Sequence, residues 1–394
     1  MRLLLTTESY LPYLSGVTVS VDALARGLTG RGHDVLVLAP RPARGVAVEA
    51  VGSPGPAPRH AWLPSYQLPR VAPPGYRMPW PVPWAAGVRA ARAFRPQVVH
   101  AHSPFVTGLL ARGIARSSGA PLVFTHHTRF ADYRHYAGRL AGPVAAVTDA
   151  YLASFWAGCA AIIAPSADLA AEIRARRPDA RVVVIPTGID VDAIRDLGAT
   201  DARRAAGWDA GAVVVATLGR LAREKSPLEL LEAVALAAAD VPALRLLVVG
   251  GGPEEPSLRD RAARPDLAGR VRLTGQLPRT QAIAAVAGAD LFAFASRTET
   301  QGLVLAEALA AGLPVIAVEG PGVRDSVRDG VDGTVVAVEP SGTRVRRLAD
   351  AVADLAVDGD RRATMAARAR DDADRFSVER RVAETEELYR SVMA

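Results

Sequence analysis

Short apolar runs alternate with segments of helical spacing along the first half of the chain. The run Arg2–Thr7 is followed by a turn that carries Ser15 and Gly16, and helical spacing then extends from Val17 to Thr29. Further apolar runs predict strands at Val35–Leu38, Gln97–His100, Leu122–Phe124, Ala161–Ala164 and Val182–Ile185. Such strands, alternating with helices, predict an α/β domain with a parallel, doubly wound sheet.

The second half of the chain repeats this pattern. Apolar runs predict strands at Ala212–Leu218, Leu244–Val249, Val271–Thr274, Leu291–Ala295 and Pro314–Val318. Helical segments lie between them at Pro227–Ala239, Arg279–Ala287 and Leu303–Ala311. We therefore predict two Rossmann-like domains, residues 1–195 and 196–375, that face a central cleft. Residues from Ser341 onward have helical composition throughout, and the last of them, 376–394, are expected to return to the first domain.

The bulk composition limits the class of protein. A length of 394 residues suits two domains of ordinary size. The single Cys159 excludes an internal disulfide and a cysteine-based metal cage. The apolar run Leu3–Leu5 is too short for a signal peptide, so the sequence predicts a cytoplasmic enzyme.

The first half is basic, and one part of it combines arginine with large aromatic residues. Residues 1–199 hold 21 Arg against 12 Asp and Glu, and residues 51–130 contain no carboxylate. Aromatic side chains in that segment are Trp62, Tyr66, Tyr76, Trp80 and Trp84. This composition suits peripheral contact with anionic lipid headgroups at the inner face of a membrane. The alternative is a Pro-rich insertion with a solvated basic face; no recognition signature supports nucleic acid as a partner.

Lys225 is the only lysine among 47 basic residues. It follows Arg220 in a segment that comes after a predicted strand, and Ser226-Pro227 then signal the start of a helix. A compact ammonium reaches a phosphate oxygen more easily than the wide guanidinium fork does. Two cations beside a helix start predict a diphosphate site. The alternative is a surface ion cluster in which Glu224 pairs internally.

Two glutamates, Glu299 and Glu307, surround the predicted start of another helix near Gly302. Glu299 stays in the preceding loop, where it can accept hydrogen bonds from sugar hydroxyls, whereas Glu307 can accept them from a ribose diol. Backbone amides of residues 300–303 are expected to point at phosphate.

Glycines and histidines mark further strand ends. Gly16 allows close approach of a ligand to the backbone, with a simple tight turn as the alternative, and Gly275 forms a similar strand-end turn that shapes the cleft. Four of the seven histidines follow two neighbouring strands: His100, His102, His126 and His127. No Cys, Asp or Glu lies near them to complete a zinc site, so we expect polar contacts in the cleft, with His127 the best candidate and a structural role the alternative.

These motifs together resemble the retaining GT-B glycosyltransferases of family 4, also called glycosyl transferases group 1. The resemblance runs from Tyr10-Leu11-Pro12 and Ser15-Gly16-Val17 through Gly219-Arg220 and Glu224-Lys225 to the Glu299 and Glu307 pair. Thr125-His126-His127-Thr128-Arg129-Phe130, Tyr133, Tyr136 and the segment 298–304 look most like bacterial members that glycosylate diacylglycerol.

The resemblance implies a role for each motif residue. Arg220 and Lys225 would hold the donor diphosphate, Glu299 the sugar and Glu307 the ribose, with His127 completing the catalytic set. The rest of the implied donor site is Gly16, Gly275, Thr300, Gln301, Gly302 and Leu303. The implied acceptor side is Tyr10, His102, Arg129 and Tyr133. The family retains anomeric configuration without bound metal, and Asp190-Val191-Asp192 begins a predicted helix, so no metal site is expected.

The expected activity is transfer of a hexose, of the glucose type, from a nucleotide sugar to a membrane lipid such as diacylglycerol. The donor is a substrate, with UDP favoured over GDP, and no cofactor is expected. The alternative within the class is a GDP-mannose-dependent enzyme with a phosphatidylinositol-type or soluble sugar acceptor. The alternative from another class is a nucleotide-sugar epimerase or hydrolase.

Overall fold

The computed structural model describes residues 1–46, 55–67, 75–129, 141–339 and 341–394. Contacts between residues divide the chain into two compact units. Unit 1 comprises Met1–Asp190 together with Ser377–Ala394, and unit 2 comprises Val191–Phe376. Each unit is built on a parallel sheet, which confirms the predicted α/β, doubly wound fold.

In unit 1 the described residues form a seven-stranded sheet in the order β3-β2-β1-β6-β7-β8-β9, and β4 and β5 form a separate antiparallel pair. The strands are β1 (Arg2–Thr6), β2 (Asp34–Pro40), β3 (Arg59–Leu63), β4 (Ser65–Tyr66), β5 (Met78–Pro79), β6 (Val98–Ala101), β7 (Leu122–Thr125), β8 (Ala161–Ala164) and β9 (Val182–Val184). Strand order reverses between β1 and β6. This reversal creates a crevice beyond the carboxyl ends of these two strands, where doubly wound sheets bind ligands.

Helices cover both faces of this sheet. They are α1 (Gly16–Gly30), α2 (Ala86–Ala93), α3 (Val106–Ser118), α4 (Ala141–Trp156), α5 (Ala167–Arg176) and, at the end of the chain, α15 (Val378–Met393). The last helix packs on α1: a Cβ at Gly27 would lie 2.5 Å from Cγ2 of Val382, so only glycine permits this approach. Val382 and Tyr389 thereby join the core under β1.

Unit 2 contains a six-stranded sheet, again within the described residues, in the order β12-β11-β10-β13-β14-β15. Its strands are β10 (Val213–Leu218), β11 (Leu244–Val249), β12 (Val271–Leu273), β13 (Leu291–Phe294), β14 (Val315–Val318) and β15 (Gly333–Val336). Its helices are α6 (Val191–Asp196), α7 (Ala202–Ala206), α8 (Pro227–Asp240), α9 (Glu255–Ala262), α10 (Arg279–Ala287), α11 (Leu303–Ala310), α12 (Val323–Ser326), α13 (Arg344–Val357) and α14 (Gly359–Asp371). Strand order reverses between β10 and β13.

Two edge strands were not predicted, β15 and β3. The Pro-rich segment contains β3, whose His60 and Trp62 obscure the apolar alternation. The stretch from Ser341 is helical over nearly all its length, as predicted, and is divided into separate helices near Asp358 and between Asp372 and Ser377. The predicted helix start at Ser226-Pro227 is confirmed: Ser226 is the N-cap of α8, although it lies in the left-handed region (φ 51°) and caps with no side-chain hydrogen bond.

Candidate active site

The predicted donor residues of unit 2 gather where strand order reverses. Arg220 and Lys225 follow β10, and Glu299 follows β13, its neighbour in the sheet. Because parallel neighbours end at the same edge of a sheet, the two loops lie side by side. The topology therefore places cations and a carboxylate at the position where this fold binds ligands.

Lys225 and Glu299 form an ion pair with 2.5 Å between Nζ and Oε1. The Ser296 hydroxyl donates to the same Oε1 at 2.8 Å. The Thr298 hydroxyl donates to the backbone oxygen of Glu224 at 3.1 Å and so joins the two loops directly. Both partners of the ion pair remain partly exposed, 24% for Lys225 and 18% for Glu299, so the pair is accessible from solvent.

Arg220 stands at the same strand end with a side chain that is 55% exposed. Its Nη1 lies 3.8 Å from Oε1 of Glu224, at the outer limit of an ion pair. The Glu224 side chain is only 3% exposed, and Lys225 pairs with Glu299 instead. Glu224 is thus within ion-pair range of Arg220, as the surface-cluster alternative expects, whereas Lys225 pairs across the two loops with Glu299.

Glycines let three strand ends of unit 2 converge. A Cβ on Gly250 would lie 2.0 Å from the carbonyl oxygen of Gly219, so a side chain there would force β10 and β11 apart. The Gly250 amide donates to the Gly275 carbonyl at 3.1 Å, which holds the end of β12 beside them. Gly275 itself has φ 71°. These glycines determine the shape of the edge that carries Arg220.

Glu307 is buried in α11, with a side chain that is 5% exposed. Its Oε1 lies 2.6 Å from Nη2 of Arg279, the first residue of α10. Arg279 was not predicted as a site residue, because its partner Glu307 comes from another helix. The ribose role of Glu307 stays a prediction, and Arg279 is its electrostatic partner in this structure.

The loop before α11 is held by its neighbours. Gly302 caps the helix in the left-handed region (φ 75°). Gln301 is buried, and the Ser326 hydroxyl donates to its carbonyl at 3.5 Å. A Cβ on Gly322 would lie 2.7 Å from Cα of Gln301, so α12 approaches this loop closely. Contact of Thr300, Gln301, Gly302 and Leu303 with phosphate stays a prediction.

In unit 1 the four predicted histidines do meet at the ends of β6 and β7. His102 Nδ1 and His127 Nε2 lie 2.9 Å apart, and the His100 ring stands 4.1 Å from the His102 ring. His126 is held separately through Nε2 and the Thr128 carbonyl oxygen at 2.9 Å.

Burial keeps these imidazoles neutral. It lowers the pKa of His100 and of His127 to about 3, that of His126 to about 4, and that of His102 well below its usual value. In each case loss of solvation is the largest cause, since a buried ring disfavours the charged form. A neutral His127 can exchange hydrogen bonds with a ligand but does not supply a positive charge near pH 7.

The remaining predicted residues of unit 1 have internal contacts. Gly16 is the first residue of α1, after Ser15, whose hydroxyl caps the helix through the Thr18 amide at 3.2 Å. Tyr10 is buried, and its hydroxyl donates to Asp22 at 3.3 Å. Arg129 pairs with Glu172 of α5 at 3.1 Å. Tyr133 lies outside the described residues, and the acceptor-side roles stay predictions.

Glu8 is a buried carboxylate that sequence reasoning missed. It follows β1, where strand order reverses, and its Oε1 accepts from the Thr107 amide in the first turn of α3 at 3.1 Å. Burial raises its pKa although that bond, and others from Ser103 and Val106, lower it. Its described contacts give it a capping role for α3.

Metal binding has no geometric support in the part of the chain that the structure describes. No group of three or more His, Cys, Asp or Glu side chains there is arranged to hold an ion. Whether the reaction proceeds without metal stays a prediction.

Comparison with known proteins identifies the family. The family described as Glycosyltransferase Family 4 matches residues 14–193, and the one described as Glycosyl transferases group 1 matches residues 199–372. The alpha-monoglucosyldiacylglycerol synthase of Acholeplasma laidlawii is 30% identical over 326 residues, 80% of either chain. The chain belongs to glycosyltransferase family 4. The predicted family and enzyme class are thereby confirmed.

Other relatives of this family 4 glycosyltransferase are named for different activities. The GDP-mannose-dependent alpha-mannosyltransferase of Mycolicibacterium smegmatis is 31% identical and covers 83% of this chain and 82% of its own. Among solved structures, sucrose-phosphate synthase from Thermosynechococcus elongatus superposes with a TM-score of 0.76 at 20% identity, over 99% of this chain and 98% of that one. This likeness supports the GT-B fold.

Proposed function

We propose that this glycosyltransferase moves a hexose of the glucose type from a UDP-sugar to a hydroxyl of a membrane lipid such as diacylglycerol, with retention of anomeric configuration. The part of the proposal that concerns the sugar donor rests on the Lys225–Glu299 pair, which lies where strand order reverses in unit 2. The acceptor half rests on relatives named alpha-monoglucosyldiacylglycerol synthase.

The donor chemistry follows from the charges at this strand edge. As the bond from sugar to diphosphate breaks, negative charge grows on the leaving diphosphate. Lys225 and Arg220, preorganised beside β10, stabilise that charge more than they stabilise the intact donor. Glu299, released from its 2.5 Å contact as the ammonium turns to phosphate, accepts hydrogen bonds from sugar hydroxyls. The leaving diphosphate takes the acceptor proton, so no protein nucleophile is required.

Contact with the membrane is part of the proposal. In unit 1, Trp80 and Trp84 are 51% and 72% exposed, and α4 exposes Val144 and Val147 at 47% and 71%. Arg89, whose Nη1 bonds the Trp84 carbonyl, adds positive charge beside the rings. Exposed rings with arginines suit the interface of an anionic bilayer. None of the helices that the structure describes is long and apolar enough to cross the bilayer. We therefore infer peripheral association with the inner face of the membrane.

A GDP-mannose-dependent activity is the second candidate, because mannosyltransferases cover the chain as extensively as the lipid glucosyltransferases do. The acceptor would then be a phosphatidylinositol-type lipid or a soluble sugar. Donor-site residues would keep the same roles, since diphosphate, ribose and hexose occur in both donors.

The test is to incubate the protein with UDP- and GDP-sugars, with and without vesicles that contain diacylglycerol and anionic phospholipid. Released nucleoside diphosphate and glycolipid are measured together. We expect UDP release that rises with vesicles, an α-linked glycolipid, and vesicle co-sedimentation that weakens with salt. The K225M variant is the inactive control.

Other outcomes redirect the proposal. Activity with GDP-mannose alone would establish the second candidate. Nucleotide release or sugar isomerisation that is indifferent to any acceptor would overturn transfer and indicate a hydrolase or epimerase.

A further inference from the structure

The histidine pair of unit 1 shares one hydrogen bond between two ring nitrogens. His102 follows β6, His127 follows β7, and 2.9 Å separates Nδ1 of the first from Nε2 of the second. Both rings are neutral near pH 7, so each carries one N–H. Only one of the two facing nitrogens holds a proton, and the choice fixes the tautomer of both residues.

His102 has little freedom to change its position. Its side chain is buried, at 4% exposed, and its backbone amide donates to the Thr6 carbonyl at 2.8 Å. Its ring lies against His100, which bonds the Tyr389 hydroxyl through Nδ1 at 2.6 Å and the Thr125 hydroxyl through Nε2 at 2.7 Å. A strand end and the last helix of the chain together hold the ring that contacts His127.

Burial also determines which of the two ring nitrogens donates the shared hydrogen bond. Nε2 of His102 is buried and has no hydrogen-bond partner within the described ranges. A proton at that position would leave a buried N–H without an acceptor, and such orphan donors are rare in folded proteins. An unprotonated Nε2 at this position costs less free energy than an N–H without an acceptor. The proton of His102 therefore belongs on Nδ1, from which it donates to Nε2 of His127.

We propose that His102 is a positioning residue that fixes His127 as the tautomer with its proton on Nδ1. The bond commits Nε2 of His127, so a polar contact from this ring to a donor or acceptor hydroxyl is made by Nδ1–H as a donor. The catalytic consequence rests on the proposed glycosyl transfer; the tautomer does not. His102 was predicted on the acceptor side, but the buried ring is placed to act on His127.

The first test reads the tautomer in the unliganded protein. Histidine is labelled with nitrogen-15, and long-range proton–nitrogen spectra distinguish protonated from bare ring nitrogens. His127 is assigned by its disappearance in H127N. We expect a protonated Nδ1 and a bare, hydrogen-bonded Nε2. A protonated Nε2 on His127 would overturn the proposal, and this reading needs no variant of His102.

Variants then separate positioning from packing. H102L removes the donor and should give His127 a mixture of tautomers, while H102N places an amide near the former Nδ1 and should restore the wild-type spectrum. Y389F is the matched control, because it removes a hydrogen bond from His100 and leaves the His102–His127 bond intact. An H102L spectrum identical to wild type, or one changed equally by Y389F, contradicts the assignment.

Activity gives the last readout. H102L should lower kcat about tenfold, the effect of one lost orienting hydrogen bond, with little change in donor KM and with recovery in H102N. If no substrate pair is turned over but the tautomer is as expected, the proposed function fails and the positioning stands. If turnover is as proposed but the tautomer is the other one, only this inference fails.

Discussion

The two units share one strand order, apart from a seventh strand in unit 1, but carry different chemistries at the edge where that order reverses. All seven histidines lie in unit 1, which has no lysine, and the single lysine lies in unit 2, which has no histidine. Unit 1 presents neutral imidazoles, of which the buried His102 is bonded to the partly buried His127. Unit 2 presents partly exposed ion pairs at Lys225 and Arg279. A common topology thus sets where a ligand binds, while side-chain identity and burial decide whether the site offers charge or neutral hydrogen bonds.

Lowering the pH should produce the largest difference in stability between the two units. Burial gives His100 and His126 pKa values of about 3 and 4 against about 6.5 in an unfolded chain, so below pH 6.5 the unfolded chain binds protons that the folded unit does not. Unit 1 should lose about 1 kcal/mol of stability for each such histidine between pH 6.5 and 5.5. Unit 2 should change little.

Hydrogen exchange resolved by peptide and corrected for intrinsic rates measures both units in one sample. Equal losses of stability in the two units between pH 6.5 and 5.5 would contradict the expectation that the buried histidines make unit 1 the more acid-sensitive.

Replacing the charge in unit 2 should affect catalysis most. Lys225→Met should lower kcat/KM for the nucleotide sugar by about 10² to 10³, because the leaving diphosphate loses a preorganised cation. Lys225→Arg should also be impaired if a compact ammonium is needed. Arg346→Met, which breaks an exposed ion pair with Asp350 in α13, is the control and should stay within about twofold. Full activity in Lys225→Arg would refute the ammonium requirement.

Arg279→Met tests the second ion pair of unit 2. Glu307 would be left as a buried carboxylate without its partner, at a cost of about 1 to 2 kcal/mol, reduced because Arg279 is partly exposed. Urea denaturation should show this loss, and donor KM should rise about tenfold. Adding Glu307→Gln should restore stability but not KM. An unchanged KM in both variants would argue against ribose binding by Glu307.

The smallest expected effect lies in the buried bonds of unit 1. Tyr389→Phe leaves His100 Nδ1 without its partner at 2.6 Å and should cost about 1 kcal/mol of unfolding free energy. Transfer activity should be unchanged. Tyr151→Phe, which removes a bond from a more exposed tyrosine to the Pro104 carbonyl, should cost less. A larger loss of unfolding free energy in Tyr151→Phe than in Tyr389→Phe would contradict the conclusion that the buried hydrogen bond to His100 is the more stabilising of the two.

Local pattern predicted most strands of the two sheets. The runs that became β10, β11, β13 and β14 are nearly continuous in apolar residues, which is what burial on both faces requires. β3 was missed because an edge strand needs no such run, and its alternation is interrupted by His60 and Trp62. Arg279 was missed because nothing near it in sequence indicates a carboxylate from another helix.

The sequence by itself determined most of the strands of both sheets and their order along the chain, because periodicity and turn residues act over a few neighbours. It also identified Lys225, Glu299 and the four strand-end histidines as candidates for chemistry. Only the tertiary structure decided their partners. Lys225 meets Glu299 because β10 and β13 are neighbours in the sheet, and His102 meets His127 because β6 and β7 are. Partner choice depends on sheet order and on burial, which are properties of the whole folded unit.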